Sequence, residues 1–127
     1  MTDNATMTIS ELAEAIIKLA SEKSVMFVLA ESCTGGMIAV ALTNIAGSSA
    51  VLDRGLVTYS NQAKQDLLGV SDDILADHGA VSAETAIAMT TGALLKTPAA
   101  QLAASVTGIA GPGGGSQDKP VGLVHFS

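Results

Sequence analysis

The feature that most limits what this chain can become is the unbroken apolar run at residues 25–30 (VMFVLA), which passes directly into Glu31-Ser32-Cys33-Thr34-Gly35-Gly36. A strand apolar at successive positions has no face for water, so its sheet needs helices on both sides. The rest of the pattern supplies them. Ile9, Leu12, Ala13, Ile16 and Leu19 recur at helical spacing, and Thr8 with Glu11 forms a capping box, so residues 8–22 are predicted to be an amphipathic helix. Helix is expected again over residues 36–45, ended by Gly47, and over 62–68, with Asn61 as cap and Gly69 as stop. A short helical turn is expected from Ser71 to Gly79, and a longer helix from Ser82 carrying Ala86, Met89, Ala93 and Leu94. Residues 55–59, 102–106 and 121–126 read as three further strands. Strands alternating with helices predict an α/β fold, a single layered domain over residues 1–127 with a mixed, largely parallel sheet flanked by helices. The chain stops in or just after the strand at 121–126, so a further strand and a closing helix of that domain are expected to be missing.

A chain of 127 residues can bury one core without covalent staples, and the single Cys33 cannot form an intramolecular disulfide. The apolar content of 48% includes only 2% aromatics, so that core is built from alanine and branched aliphatics. Twelve acidic against six basic residues give a net charge of −6, with no run of Lys or Arg. Neither a nucleic-acid backbone nor an anionic membrane is expected as a partner, because each needs a positive face. The N-terminal MTDNATMTIS has neither the basic nor the apolar region of a secretion signal, and no apolar run approaches the ~18 residues of a membrane span. A cytoplasmic protein is expected.

Ligands of open α/β sheets sit beyond the carboxyl ends of the strands, and three strand-to-loop transitions stand out. The first carries Ser32, Cys33, Thr34, Gly35 and Gly36 into a helix. Amides of Thr34, Gly35 and Gly36 at a positive helix end suit a phosphate or the oxyanion of an acyl-transfer intermediate; a capped helix start with glycines for tight packing reads equally well. The second is Thr58-Tyr59-Ser60-Asn61-Gln62-Ala63-Lys64. A lysine in a first helical turn has its pKa lowered by the dipole and can serve as base toward a serine, although a lone lysine is ordinarily a solvated charge. The third is residues 107–116, from Thr107 through Gly108, Gly111 and Gly114, followed by Lys119-Pro120-Val121-Gly122. Such a loop can wrap a ligand with backbone donors or serve as a linker; Ile109 and Ala110 between the glycines favour order.

Several chemistries fail at the level of spacing. There is no G-x-x-x-x-G-K-[ST] and no G-x-S-x-G, and the S-D-N and K-T-G segments of the penicillin-binding pattern are absent. Gly108, Gly111 and Gly113 run in the reverse order of the dinucleotide fingerprint. His78 and His125 belong to no Cys/His cluster, which disfavours a zinc site and a Ser-His-Asp triad. His78 reads as a helix C-terminal residue and Cys33 as a small packed side chain.

Five blocks taken together resemble the CinA C-terminal domain family. They are Ala30 to Gly36, Ala46-Gly47-Ser48-Ser49, Val57-Thr58-Tyr59-Ser60-Asn61 with Lys64, His78-Gly79-Ala80-Val81-Ser82 with Glu84, and Thr107 to Pro112 with Gly114, Gly115 and Lys119-Pro120-Val121-Gly122. The resemblance implies hydrolysis of the carboxamide of nicotinamide mononucleotide to nicotinate mononucleotide and ammonia, in pyridine nucleotide recycling, by a serine and a lysine in place of a histidine. It implies Ser32 as nucleophile, Lys64 as base and proton donor, and Tyr59 as proton relay. The amides of Thr34, Gly35 and Gly36 would then form the oxyanion site, with Ser48, Thr107, Gly108, Gly111, Gly114 and Lys119 at the substrate. Ser48 is the rival nucleophile. The scheme uses no metal and no cofactor; its partner is a pyridine nucleotide, and a homo-oligomer is expected. The family's G-x-R-x-x-V-R segment has no counterpart, and Arg54 is the only arginine. That departure leaves a second reading, a non-catalytic nucleotide-binding or regulatory module inactive through truncation.

Overall fold

The structure, a computed structural model, describes residues 6–127; the first five residues of the segment judged for a secretion signal lie outside the described residues. In chain order the elements are α1 (Ile9–Glu22), β1 (Phe27–Glu31), α2 (Met37–Thr43), a 3-10 turn (Ser48–Ala50), β2 (Leu52–Val57), α3 (Asn61–Leu68), α4 (Asp72–His78), α5 (Ala83–Lys96), β3 (Leu102–Gly108) and β4 (Val124–Phe126). The sheet runs β2-β1-β3-β4, with β1 parallel to both β2 and β3, and β4 antiparallel to β3. The α/β fold with a mixed, largely parallel sheet is therefore as expected.

Alternation along β1 sorts the core into two layers. Phe27 and Leu29 point to one face, where they meet Ala13 and Ile17 of α1, Leu42 of α2 and Val51. Val28 and Ala30 point to the other, against Leu68 of α3, Val70, and Met89 and Ala93 of α5. Each large aliphatic so buried stabilises the fold by about 1.5–3 kcal/mol. The unbroken run is thus explained by a central strand buried on both faces.

Boundaries moved where turns consumed residues. Helix α1 ends through Lys23 and Ser24, the latter at a φ of 53°, and the Val25 N–H returns to the Ala20 carbonyl. That turn delays β1 to Phe27. Strand β2 starts at Leu52 instead of 55, because Asp53 and Arg54 sit on an exposed edge strand where charge is tolerated. Strand β4 shrinks to three residues, since Gly122 adopts a φ of 93° and its N–H bonds the Ile109 carbonyl in the preceding turn. The cap of α3 is Ser60, whose Oγ accepts from the Ala63 N–H; Asn61 is instead the first helical residue. Thr8, Ser71 and Ser82 cap α1, α4 and α5 as expected.

Candidate active site

Strand β1 lies between its sequence successor β2 and the later β3, so the order of the sheet reverses at its carboxyl end. Crevices form at such switch points. A cavity of about 270 Å3 opens there, lined by Ser32 and Cys33 after β1, Tyr59 and Lys64 after β2, Ala80 and Val81, Thr107 and Gly108 at the end of β3, and Ile109, Ala110, Gly111, Gly113 and Gly114. A larger cleft of about 610 Å3 lies between α1 and the segment after α2, lined by Glu14, Ser21 and Asn44 among others, and holds none of these groups.

The alternation that sends Val28 and Ala30 toward α3 and α5 sends Ser32 the same way. Its Oγ meets Lys64 from α3: Nζ stands 2.9 Å from Ser32 Oγ, 2.8 Å from the Thr58 carbonyl and 3.1 Å from the Tyr59 carbonyl. Lys64 is only 1% exposed and Ser32 only 7%. Burial pushes the lysine below its ordinary pKa of 10.5, and the neighbouring Cys33 thiol draws it partly back up. Desolvation, more than the helix dipole expected from the sequence, is the principal cause. Among the described residues that line the cavity, Lys64 is the only charged one.

The structure brings together Ser32, Lys64, Thr107, Gly108, Gly111 and Gly114. Thr107 is buried and donates its hydroxyl to the Ala80 carbonyl at 2.8 Å, tying β3 to the loop before α5. Tyr59 takes part through its backbone: its carbonyl accepts from Lys64, while the residue is 67% exposed, so the expected phenol relay has no bond to the pair. Thr34, Gly35 and Gly36 are not in the cavity wall. The Gly35 N–H is used by the Ser32 carbonyl. The positive end of α2 is closed by Glu31, whose carboxylate accepts from the Ile38 and Ala39 amides. Expected as anion ligands, these three residues form instead the turn that presents Ser32. Ser48 lies away from the cavity in the 3-10 turn, with its Oγ directed at the Thr43 carbonyl. Lys119 is also outside: its Nζ bonds the His78 carbonyl at 2.5 Å, over a neighbouring cleft with Glu84 and Asp118.

Cys33, Ala80, Val81, Ile109, Ala110 and Gly113 line the cavity without having been expected as site residues, and Glu31 braces the turn beside it. For Glu31 a signal existed, since period-two alternation from Phe27 and Leu29 puts it on the α2 face. Among the described residues no cluster of three His, Cys, Asp or Glu could hold a metal ion, and no helix is long and apolar enough to cross a membrane.

Fold and site together define a layered α/β domain with a buried serine–lysine pair at its switch point. The chain belongs to the CinA C-terminal domain family, whose model matches residues 9–127. It is 49% identical over its full length to the nicotinamide-nucleotide amidohydrolase PncC of Escherichia coli K12, covering 74% of that protein. It is 55% identical over 115 residues to a putative competence-damage inducible protein of Caldicellulosiruptor bescii, where the match takes in 91% of this chain but 28% of the relative. The chain thus spans little more than a quarter of the longer relatives and about three quarters of the shorter. The crystal structure of competence/damage inducible protein CihA from Agrobacterium tumefaciens superposes with a TM-score of 0.87 at 57% identity, over 93% of this chain and 71% of that one. A CinA superfamily protein from Escherichia coli gives 0.91 at 35% identity, over 99% and 73%.

Proposed function

We propose that the chain is an amidohydrolase that converts nicotinamide mononucleotide to nicotinate mononucleotide and ammonia, with Ser32 as nucleophile and Lys64 as general base. One observation carries the reading: Lys64 Nζ has two carbonyl acceptors besides Ser32 Oγ. A neutral amine has two N–H donors and one lone pair. In the charged form Nζ donates to Ser32 Oγ and to both carbonyls, while the Ser32 hydroxyl points at the Tyr59 carbonyl 3.4 Å away. Once the amine is neutral, the carbonyls of Thr58 and Tyr59 keep its two donors and the lone pair is left for the Ser32 hydroxyl proton. Ser32 Oγ then attacks the carboxamide carbon as its proton passes to Lys64. Collapse of the tetrahedral intermediate breaks the C–N bond, and Lys64 returns the proton to the departing ammonia. Water, deprotonated by the same amine, attacks the ester, releasing the carboxylate and restoring Ser32. Thr107 and the loop with Gly108, Gly111 and Gly114 hold the substrate. This scheme acts in the cytoplasm, in a chain that self-associates through exposed aliphatics such as Ile9, Met37 and Val40; sedimentation equilibrium checks the mass.

Ammonia release from nicotinamide mononucleotide tests the activity. Ser32→Ala and Lys64→Ala are each expected to lower kcat by about a thousandfold or more. Activity untouched by either substitution sinks the assignment. A second reading, a nucleotide-binding module without turnover, is favoured by the cavity's single cation and by the modest share of the longer relatives that the chain spans. Calorimetric binding of the nucleotide without ammonia release supports that alternative.

A further inference from the structure

Beside the reacting serine lies a buried carboxylate that the scheme above does not use. Glu31 ends β1 and is 1% exposed, and neither ion pair found among the described residues includes it. Its partners are donors of the next turn and helix. Oε1 accepts from Thr34 Oγ1 at 2.6 Å and from the Ile38 N–H at 3.0 Å, and Oε2 accepts from the Ala39 N–H at 2.9 Å. Helix α2 lacks an ordinary cap, because its N-cap residue is Gly36, in the left-handed region with a φ of 102° and no side chain to offer. Glu31 supplies that cap from the strand. Charge-assisted bonds to backbone amides are stronger than neutral ones, and the helix dipole adds to them.

We propose that Glu31 is the positioning residue of the nucleophile: by clamping the end of β1 to the start of α2 it fixes the turn that holds Ser32 Oγ on Lys64. This rests on the reading of Ser32 as nucleophile. The turn is closed at each step. The Ser32 N–H bonds the Val106 carbonyl at 3.0 Å, the Ser32 carbonyl accepts from Gly35 at 3.0 Å, and the Thr34 carbonyl accepts from Met37 at 3.0 Å. The Glu31 carbonyl accepts from the Thr58 N–H at 2.7 Å, which ties the same residue to the segment contributing the Thr58 acceptor of Lys64. Glu31 therefore orients both halves of the pair, its carboxylate from the α2 face of the strand and its carbonyl along the sheet toward the end of β2. In Glu31→Gln one oxygen becomes a donor, and either the Ala39 amide or the Thr34 and Ile38 donors face N–H instead of an acceptor.

The test reads Ser32 reactivity in the whole chain with a fluorophosphonate. The Oγ–P bond forms as P–F breaks, fluoride leaves, and the serine proton passes to Lys64. Labelling of Glu31→Gln is expected to slow by roughly ten- to a hundredfold, the loss that accompanies misplacement of a reacting atom by about an ångström. KM for the nucleotide stays within about twofold, and the acid limb of the labelling rate stays at its wild-type pH, because Lys64 remains buried. A folded variant labelled at the wild-type rate overturns the proposal. So does a slowed variant whose acid limb moves up toward the ordinary lysine value, since that reports general loosening and hydration of Lys64. If Glu31→Gln does not fold, Thr34→Val, which removes only the hydroxyl on Oε1, is expected to slow labelling by about three- to tenfold at unchanged KM; an unchanged rate overturns the proposal. Wild-type protein that labels at Ser32 but releases no ammonia removes the substrate assignment and leaves the role of Glu31 to be decided by the same variants. Wild-type protein that does not label at Ser32 overturns both.

Discussion

Lys64 reads from the sequence as a first-turn lysine whose pKa the helix dipole would lower, and by resemblance as the base to Ser32; the structure adds that burial is the larger cause of the lowering. A buried lysine with three oxygen neighbours is poised differently from one on a surface. Its lowered pKa fixes the sign of two pH effects. The proposed scheme needs the neutral amine, so on it kcat/KM is expected to rise with pH along an acid limb whose midpoint lies below 10.5, and Lys64→Arg, which cannot lose its proton, should be inactive. A stopped pH series of ammonia release checks both. For stability, the folded pKa is depressed below the unfolded one. Between the two values the unfolded chain binds more protons than the native one, so unfolding free energy should climb with pH across that window and level off above 10.5. Below the folded value the cost of burying the charge is fully present. Lys64→Met removes this slope, as urea denaturation at stepped pH would show; a slope unchanged in the variant would place its origin elsewhere.

Two element contacts set the walls of the cavity. Helices α3 and α5 meet at Gly92, where an added Cβ would stand 1.7 Å from the Leu68 carbonyl oxygen. Only glycine allows that approach, and α3 carries Lys64. Gly92→Ala is therefore expected to cost about 1–3 kcal/mol, even after the ~1 kcal/mol that alanine gains in helix propensity. The melting temperature should drop by roughly 5–15 °C, and the folded fraction should turn over more slowly as α3 is pushed outward. Calorimetry and activity per folded molecule separate the two. The other contact is Lys119, which straps the glycine-rich loop to the carbonyl end of α4 at His78. A cation at a helix C-terminus on an exposed surface contributes about 0.3–1 kcal/mol. Lys119→Met should accordingly raise KM by about two- to fivefold with kcat nearly unchanged; a large fall in kcat would mean that the lysine reaches the reacting atoms.

At the scale of the molecule, a chain of net charge −6 with one cation in its cavity repels an anionic nucleotide. Screening weakens that repulsion, so kcat/KM is expected to rise, by up to about twofold, between ~0.01 and ~0.15 M salt. A steep fall would instead reveal a positive binding face. The sequence by itself determined the layers. The unbroken run at residues 25–30 demanded helices on both sides, and Thr8, Ser71, Ser82, Gly69 and Gly79 marked helix ends, because periodicity and capping act over a few residues. Resemblance, more than spacing, paired Ser32 with Lys64. Only the tertiary structure decided that the α2 amides belong to Glu31, that Tyr59 offers a carbonyl, and that Lys119 and Ser48 stand outside the cavity. Those assignments depend on which face of β1 a side chain leaves from and on how α3 and α5 close over it. Burial and hydrogen-bond partners are properties of contacts between distant segments, and no local pattern contains them.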